Sequence, residues 1–356
     1  MLAAPAPALA MPSATASVTW DEIEILSVRV ATGEARRLML RTSESFAGSS
    51  IDTPVHVLHG STPGPTVCFV AGVHGDELNG VEIVRQIFEE LEPSEVSGTV
   101  LALPVANLHG FRQSSRYLPD RRDLNRYFPG NPAGSSASRI ADALFHEVIA
   151  RCGILVDFHT GSFHRSNVPQ VRANLRDDRV RALALEFGVE WVVHSEGRPG
   201  TLRRAAVDAG IPALTYEAGE PLRFQEREIA RGIAGARQLL SELKMIEGKR
   251  NVAKPTLILG STWIRADEGG IFQPSRDLGD RVDVGEMLGT VTDPITNERS
   301  AIIAPRDGRI LGMALPQVVI PGFAVFHLGF EGAKVPSPEE DATAPEPEPL
   351  EPYDPE

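Results

Sequence analysis

Basic charge, cysteine and long apolar runs are all scarce in this chain. Its 356 residues carry a formal net charge of -13, which argues against nonspecific binding to nucleic acid. No apolar run reaches the length needed to cross a bilayer, so no membrane partner is expected. The apolar start, Met1 to Met11, is broken by prolines and has no basic residue, so it does not read as a signal peptide. Cys68 and Cys152 are the only cysteines, and both sit in apolar runs. Two buried thiols predict a reducing compartment rather than a disulfide framework, and the expected location is cytoplasmic. What is present, 42% apolar and 23% charged residues, is ordinary for a soluble globular chain long enough for two domains.

Residues 1–19 and the tail 335–356 read as disordered. The tail is acidic and proline-interleaved, with Leu350 its one aliphatic residue near the end. From Trp20 to about Ser50 the pattern alternates as strands do. From Ile51 to about Gly248, strand-like runs alternate with amphipathic helices. The runs are Val55–Leu58, Val67–Val70, Val100–Val105, Ile154–Asp157, Trp191–Val193 and Ala213–Tyr216. Helical stripes follow Glu77 and fill Ile140–Ala150, Arg179–Phe187 and Glu226–Met245. This predicts an α/β domain over 20–250, a sheet with helices on both faces. Residues 251–334 lose the helical period and predict a small all-β domain.

That β domain carries a faint internal repeat. Gly270-Ile271 with Val282-Asp-Val-Gly285 resembles Gly308-Arg-Ile310 with Val319-Ile-Pro-Gly322, 37 or 38 residues on. Two similar halves resemble the flattened barrel of biotinyl and lipoyl domains. The connection Asp293–Ser300 has no lysine to carry a cofactor, so a packing or lid role is the expectation.

The chemistry starts at Val70-Ala-Gly-Val-His-Gly-Asp-Glu77. An imidazole and a carboxylate three residues apart, between a strand and a helix, lie where open α/β sheets place ligands. A third ligand candidate, His159, ends the run Ile154-Leu-Val-Asp-Phe-His159, 82 residues after Glu77. Three protein ligands leave one position open, the arrangement of a catalytic zinc site. His56, His59, His109, His146, His194 and His327 read instead as ordinary surface or core histidines. The segment from Asn107 to Gly130 is loop-like and rich in arginine; its Asp123-Leu-Asn-Arg126 is bracketed by Tyr127-Phe128-Pro129. An arginine beside a metal can clamp a carboxylate or stabilise an oxyanion. Glu217, in Ala213-Leu-Thr-Tyr-Glu217-Ala-Gly, is placed to be a proton-transferring carboxylate.

Taken in order, His74-Gly-Asp-Glu77, Asp123-Leu-Asn-Arg126, Asp157-Phe-His159-Thr and Thr215-Tyr-Glu217 resemble the aspartoacylase/succinylglutamate desuccinylase family, relatives of the zinc carboxypeptidases. The resemblance covers roughly residues 50 to 250 and extends to the β domain. It implies a zinc-carboxypeptidase-like mixed sheet and one zinc ion per chain, held by His74, Glu77 and His159. It implies that Arg116 polarises the scissile carbonyl, with Arg112, Arg121 and Arg122 as neighbours in the same loop. Asn125 and Arg126 would hold a substrate carboxylate, Asp123 would fix the tautomer of His74, and Glu217 would be general base and then acid. The expected activity is hydrolysis of the amide of a small N-acyl amino acid by metal-activated water. Two alternatives stay open, a zinc carboxypeptidase acting on short peptides and a noncatalytic zinc-binding protein. A second basic residue for the substrate could be Arg165, Arg172 or Arg198, and a homo-oligomer is possible.

Overall fold

A computed structural model describes residues 20–44, 50–248, 254–332 and 335. The terminal segments expected to be disordered lie outside these, apart from Val335. The chain opens with a hairpin of β1 (Glu22–Ile25) and β2 (Val28–Ala31), then β3 (Glu34–Glu44) and β4 (Ser50–His59). Next come β5 (Thr62–Ala71), α1 (Leu78–Glu90), β6 (Ser97–Leu103), α2 (Leu108–Arg112), α3 (Ser136–Glu147) and β7 (Ile154–His159). They are followed by β8 (Arg165–Ala173), α4 (Asp178–Glu186), β9 (Trp191–His194), α5 (Leu202–Asp208), β10 (Ala213–Gly219) and α6 (Glu226–Glu242).

The central strands β6, β5, β7 and β10 run parallel, and β7 is buried at every residue. A strand covered on both faces reads as a continuous apolar run, which is why these were legible. Antiparallel β4 and β3 extend one side of the sheet and antiparallel β8 the other. One face packs Ile83, Val84 and Ile87 of α1, Leu183 of α4 and Leu239 of α6 against Phe69, Phe158 and Tyr216. The opposite face packs Ile140 and Leu144 of α3 and Leu202 of α5 against Val70 and Leu155. Helices therefore cover both faces of a mixed sheet. Among the described residues no helix is long and apolar enough to cross a membrane.

The expectation of two free thiols is corrected. Cys68 and Cys152 form a disulfide, with Cα atoms 5.7 Å apart. Cys68 lies within β5, opposite Leu155 of its parallel neighbour β7, and Cys152 lies two residues before β7, where Gly153 N donates to Thr66 O and the chain comes in beside β5. The case for a reducing compartment rested on those thiols and loses that support.

The C-terminal region contains β11 (Thr256–Ile258), β12 (Gly260–Arg265), β13 (Gly270–Pro274), β14 (Arg281–Val282) and β15 (Met287–Thr292). It ends with β16 (Arg299–Ile303), β17 (Gly308–Ala314), β18 (Gln317–Val319) and β19 (Ala324–Phe330). Gly285 and Gly322 share a left-handed φ of 83° and 84°. The strands divide between two sheets. Strands β16, β15, β13 and β18 form one, packed through Phe272, Leu288 and Val291 on Val325 and Phe326. Strands β17, β19 and β12 instead continue the main sheet, because β17 pairs antiparallel with β8.

Candidate active site

The turn after β5 carries His74, and its tightness has a steric cause. A Cβ on Gly75 would lie 1.9 Å from the backbone carbon of Gly110 in α2, so only glycine fits there. Glu77 precedes α1, and His159 is the last residue of β7. All three are buried, and their ligand atoms lie within 4.8 Å of one another. Nδ1 of His74 is 2.8 Å from Glu77 Oε1, and Nδ1 of His159 is 2.8 Å from Glu77 Oε2. The two Nδ1 atoms face each other at 3.2 Å. Two buried imidazole nitrogens and a carboxylate aimed at one point are a donor set that fits a divalent cation, with no thiol or further carboxylate needed.

Each imidazole is held from behind. Nε2 of His74 is 3.1 Å from Asp123 Oδ1, and Nε2 of His159 is 2.8 Å from Asp157 Oδ2. A carboxylate on the far nitrogen leaves Nδ1 free to ligate. Burial, and Arg116 beside it, would push His74 down, but Glu77 and Asp123 raise it overall. For His159, Asp157 and Glu77 likewise overcome burial and raise it well above the ordinary value. Burial opposes ionisation of Glu77, yet the two imidazoles hold it far below the usual carboxylate range. The charge pattern is that of a site waiting for positive charge between the three groups.

Asp123 connects this cluster to the arginine loop. Besides His74 it accepts from Asn125 N at 2.9 Å and from Arg116 Nη2 at 2.8 Å, and it lies 3.8 Å from Arg126. Arg116 also donates to Ser162 Oγ at 2.8 Å and to Glu77 Oε1 at 3.2 Å, so it stands beside the three convergent groups. Asn125 Oδ1 accepts from Leu202 N at 2.7 Å and so anchors α5. Arg126 donates Nη1 to Asn125 O, while its buried Nε has no hydrogen-bond partner. Glu217 pairs in register with His159 on the parallel neighbour strand, which sets their Cα atoms about 4.8 Å apart. Its Oε2 accepts from Asn167 Nδ2 at 2.7 Å, and its Oε1 lies 3.6 Å from Arg172 Nε.

The three further arginines separate by place. Arg172 faces Glu217. Arg165 donates to Ala324 O at 2.7 Å, with Phe323, Trp263 and Phe163 rings around its guanidinium. Burial pulls it down to about 10. Arg198 is close enough to Arg126 for the two charges to repel. Sequence reasoning named Asp157 within a motif without giving it a role, and missed Ser162 and Asn167. Asp157 had a signal, since a residue two before His159 on a strand points to the same face. Ser162 and Asn167 had none.

His74, Glu77 and His159 are the group whose ligand atoms converge, while His327 stacks on Trp263 at 4.4 Å between ring centres. Burial, with Arg172 and Arg165 adding, pushes His327 well below its ordinary value. A base depressed in the fold is neutral there, while the unfolded chain takes up a proton as pH falls. Its contribution therefore erodes stability from about pH 6.5 downward, by at most about 1.4 kcal/mol per pH unit. His327→Phe should flatten that part of the curve in denaturant titrations at stepped pH; an unchanged slope would mean the histidine is charged in the fold.

Comparison with known proteins identifies relatives of the chain. A family model described as the succinylglutamate desuccinylase/aspartoacylase catalytic domain matches residues 63–243. An N-alpha-acetyl-L-2,4-diaminobutyric acid deacetylase of Halomonas elongata is 27% identical over 294 residues, 78% of this chain and 85% of that one. The crystal structure of a succinylglutamate desuccinylase/aspartoacylase from Rhodobacter sphaeroides superposes with TM-score 0.77 at 26% identity, over 84% of this chain and 96% of that one. The product-bound ectoine utilization protein EutE (DoeB) of Ruegeria pomeroyi also gives TM-score 0.77, over 83% of this chain and 95% of that one. At 24% identity the latter is a likeness of fold.

Proposed function

Since this chain belongs to the succinylglutamate desuccinylase/aspartoacylase family, we propose that it is a zinc-dependent hydrolase that removes the acyl group from a small N-acyl amino acid. The observation that carries the reading is the convergence of His74 Nδ1, His159 Nδ1 and the Glu77 carboxylate one strand away from Glu217. A zinc ion held by those three would supply a Lewis acid for the scissile carbonyl and lower the pKa of water.

The protein's own groups divide the remaining work. Glu217 takes a proton from the attacking water on a carboxylate oxygen and returns it to the leaving nitrogen. Arg116, fixed by Asp123 and Ser162, presents positive charge to the oxygen of the tetrahedral intermediate. Arg126 and Asn125 hold the carboxylate of the amino-acid part, and Arg126 is positioned by donating Nη1 to Asn125 O. Asp157 and Asp123 fix the imidazole rings. Asp157→Ala should weaken zinc affinity by roughly 10- to 100-fold in a chelator competition, since outer partners of ligating histidines carry that much. Undiminished affinity would show that β7 alone orients His159.

Amine release from N-acetyl-2,4-diaminobutyrate, N-acetylaspartate, N-succinylglutamate and a set of dipeptides tests the reading directly. Release from one acyl amino acid, abolished by a chelator and restored by zinc, is the expected result. Cleavage of dipeptides alone would replace the deacylase with a carboxypeptidase, and turnover that survives metal removal would end the zinc reading.

A further inference from the structure

The segment between β7 and β8 touches the site repeatedly, and the C-terminal strands hold that segment. Thr160 N donates to Glu77 Oε2, and Ser162 Oγ bridges Glu77 and Arg116. From the C-terminal side, Leu315 N and Gln317 Nε2 donate to His164 O, and Ala324 O accepts from Arg165. Gly312 of β17 pairs with Asn167 of β8, the residue that donates to Glu217.

The strands are irregular on both sides of Asn167. Strand β10 shifts register against β8 between Glu217 and Gly219, and β17 shifts against β19 between Ile310 and Gly312. Such bulges re-aim side chains. A Cβ on Gly312 would lie 2.5 Å from Asn167 Oδ1, while its other neighbours, His327 Cβ and Ser166 O, are at an ordinary 3.5 Å. The one atom that a side chain at 312 would displace is therefore the tip of Asn167.

We infer that Asn167 is a positioning residue that sets the orientation of the Glu217 carboxylate, and that Gly312 of the C-terminal region leaves it the room to do so. The inference rests on Glu217 being the proton-transferring group. Asn167 is buried, and its Nδ2 fixes Oε2, so that Oε1 and its lone pairs face a constant direction. A carboxylate free to rotate meets the water in the right geometry less often.

The test is a set of variants of the full-length zinc-loaded protein: Asn167→Ala, Gly312→Ala, the pair together, and each with Glu217→Gln. Asn167→Ala should lower kcat by roughly 10- to 100-fold with KM and zinc content unchanged and the fold intact, the melting temperature falling only as one lost buried hydrogen bond requires. Gly312→Ala should lower kcat in the parent, yet have no further effect once Asn167 is alanine. Neither should change the residual rate of Glu217→Gln. Multiplicative losses, losses that follow zinc content or melting, or full rates in Asn167→Ala beside a crippled Glu217→Gln would overturn the inference alone. Full turnover in Glu217→Gln would overturn the reading of Glu217 and this inference with it.

Discussion

Glu217→Gln is expected to lower turnover by about a thousandfold or more, the scale of losing general acid–base catalysis, while the protein still binds zinc. The substitution preserves size and leaves an oxygen to accept from Asn167 Nδ2. On the proposed mechanism it removes what Glu217 contributes, a basic oxygen that can hold and release a proton. It also leaves Arg172 without its counter-charge at 3.6 Å. The Glu217 carboxylate is held by Asn167 rather than by any of the three metal-binding candidates, so bound zinc measured by atomic absorption should match the parent. Steady-state rates on the best acyl amino acid decide the matter. Turnover within a few-fold of the parent would remove Glu217 from the chemistry.

Reducing the Cys68–Cys152 disulfide is expected to lower the free energy of unfolding by roughly 4 kcal/mol, since the cross-link closes a long loop in the unfolded chain. The two cysteines are 84 residues apart in sequence. That loop contains α1, β6 and α3, so the unfolded ensemble loses much of its freedom when the link is present. The bond also ties β5, which leads to His74, to the turn that enters β7, which ends at His159. Urea midpoints of the oxidised protein with and without a dithiol measure the effect, and Cys68→Ala with Cys152→Ala should match the reduced form. A midpoint indifferent to the dithiol would show that the link gives the unfolded chain no effective constraint.

The parts of the architecture that the sequence revealed share one cause. Strands buried on both faces, such as Val67–Val70 and Ile154–Asp157, read as uninterrupted apolar runs, and the polar residues that end them fall on the ligand side of the sheet. Strand β8 was not legible, because one of its faces is polar, with Gln170 and Arg172 turned toward the site, and Pro169 breaks the run. Helix α5 is seven residues long and too short for a periodic stripe. The disulfide depends on which strands are neighbours, and that is a property of the sheet order rather than of either local sequence. The same holds for Asn167, whose contact with Glu217 spans 50 residues.

The continuity of the main sheet through β17 bears on how the edge at β8 is closed. Strand β8 has β10 on one side and, at its beginning, β17 on the other. Val168, Trp191 and Val193 pack on Ile258 and Leu311 from the C-terminal region. A chain that ended near residue 250 would leave the start of β8 as a bare sheet edge flanked by uncovered apolar side chains, a template for pairing with other molecules. The later strands therefore serve as the cap of the main sheet at this edge, and they do so directly beside Asn167.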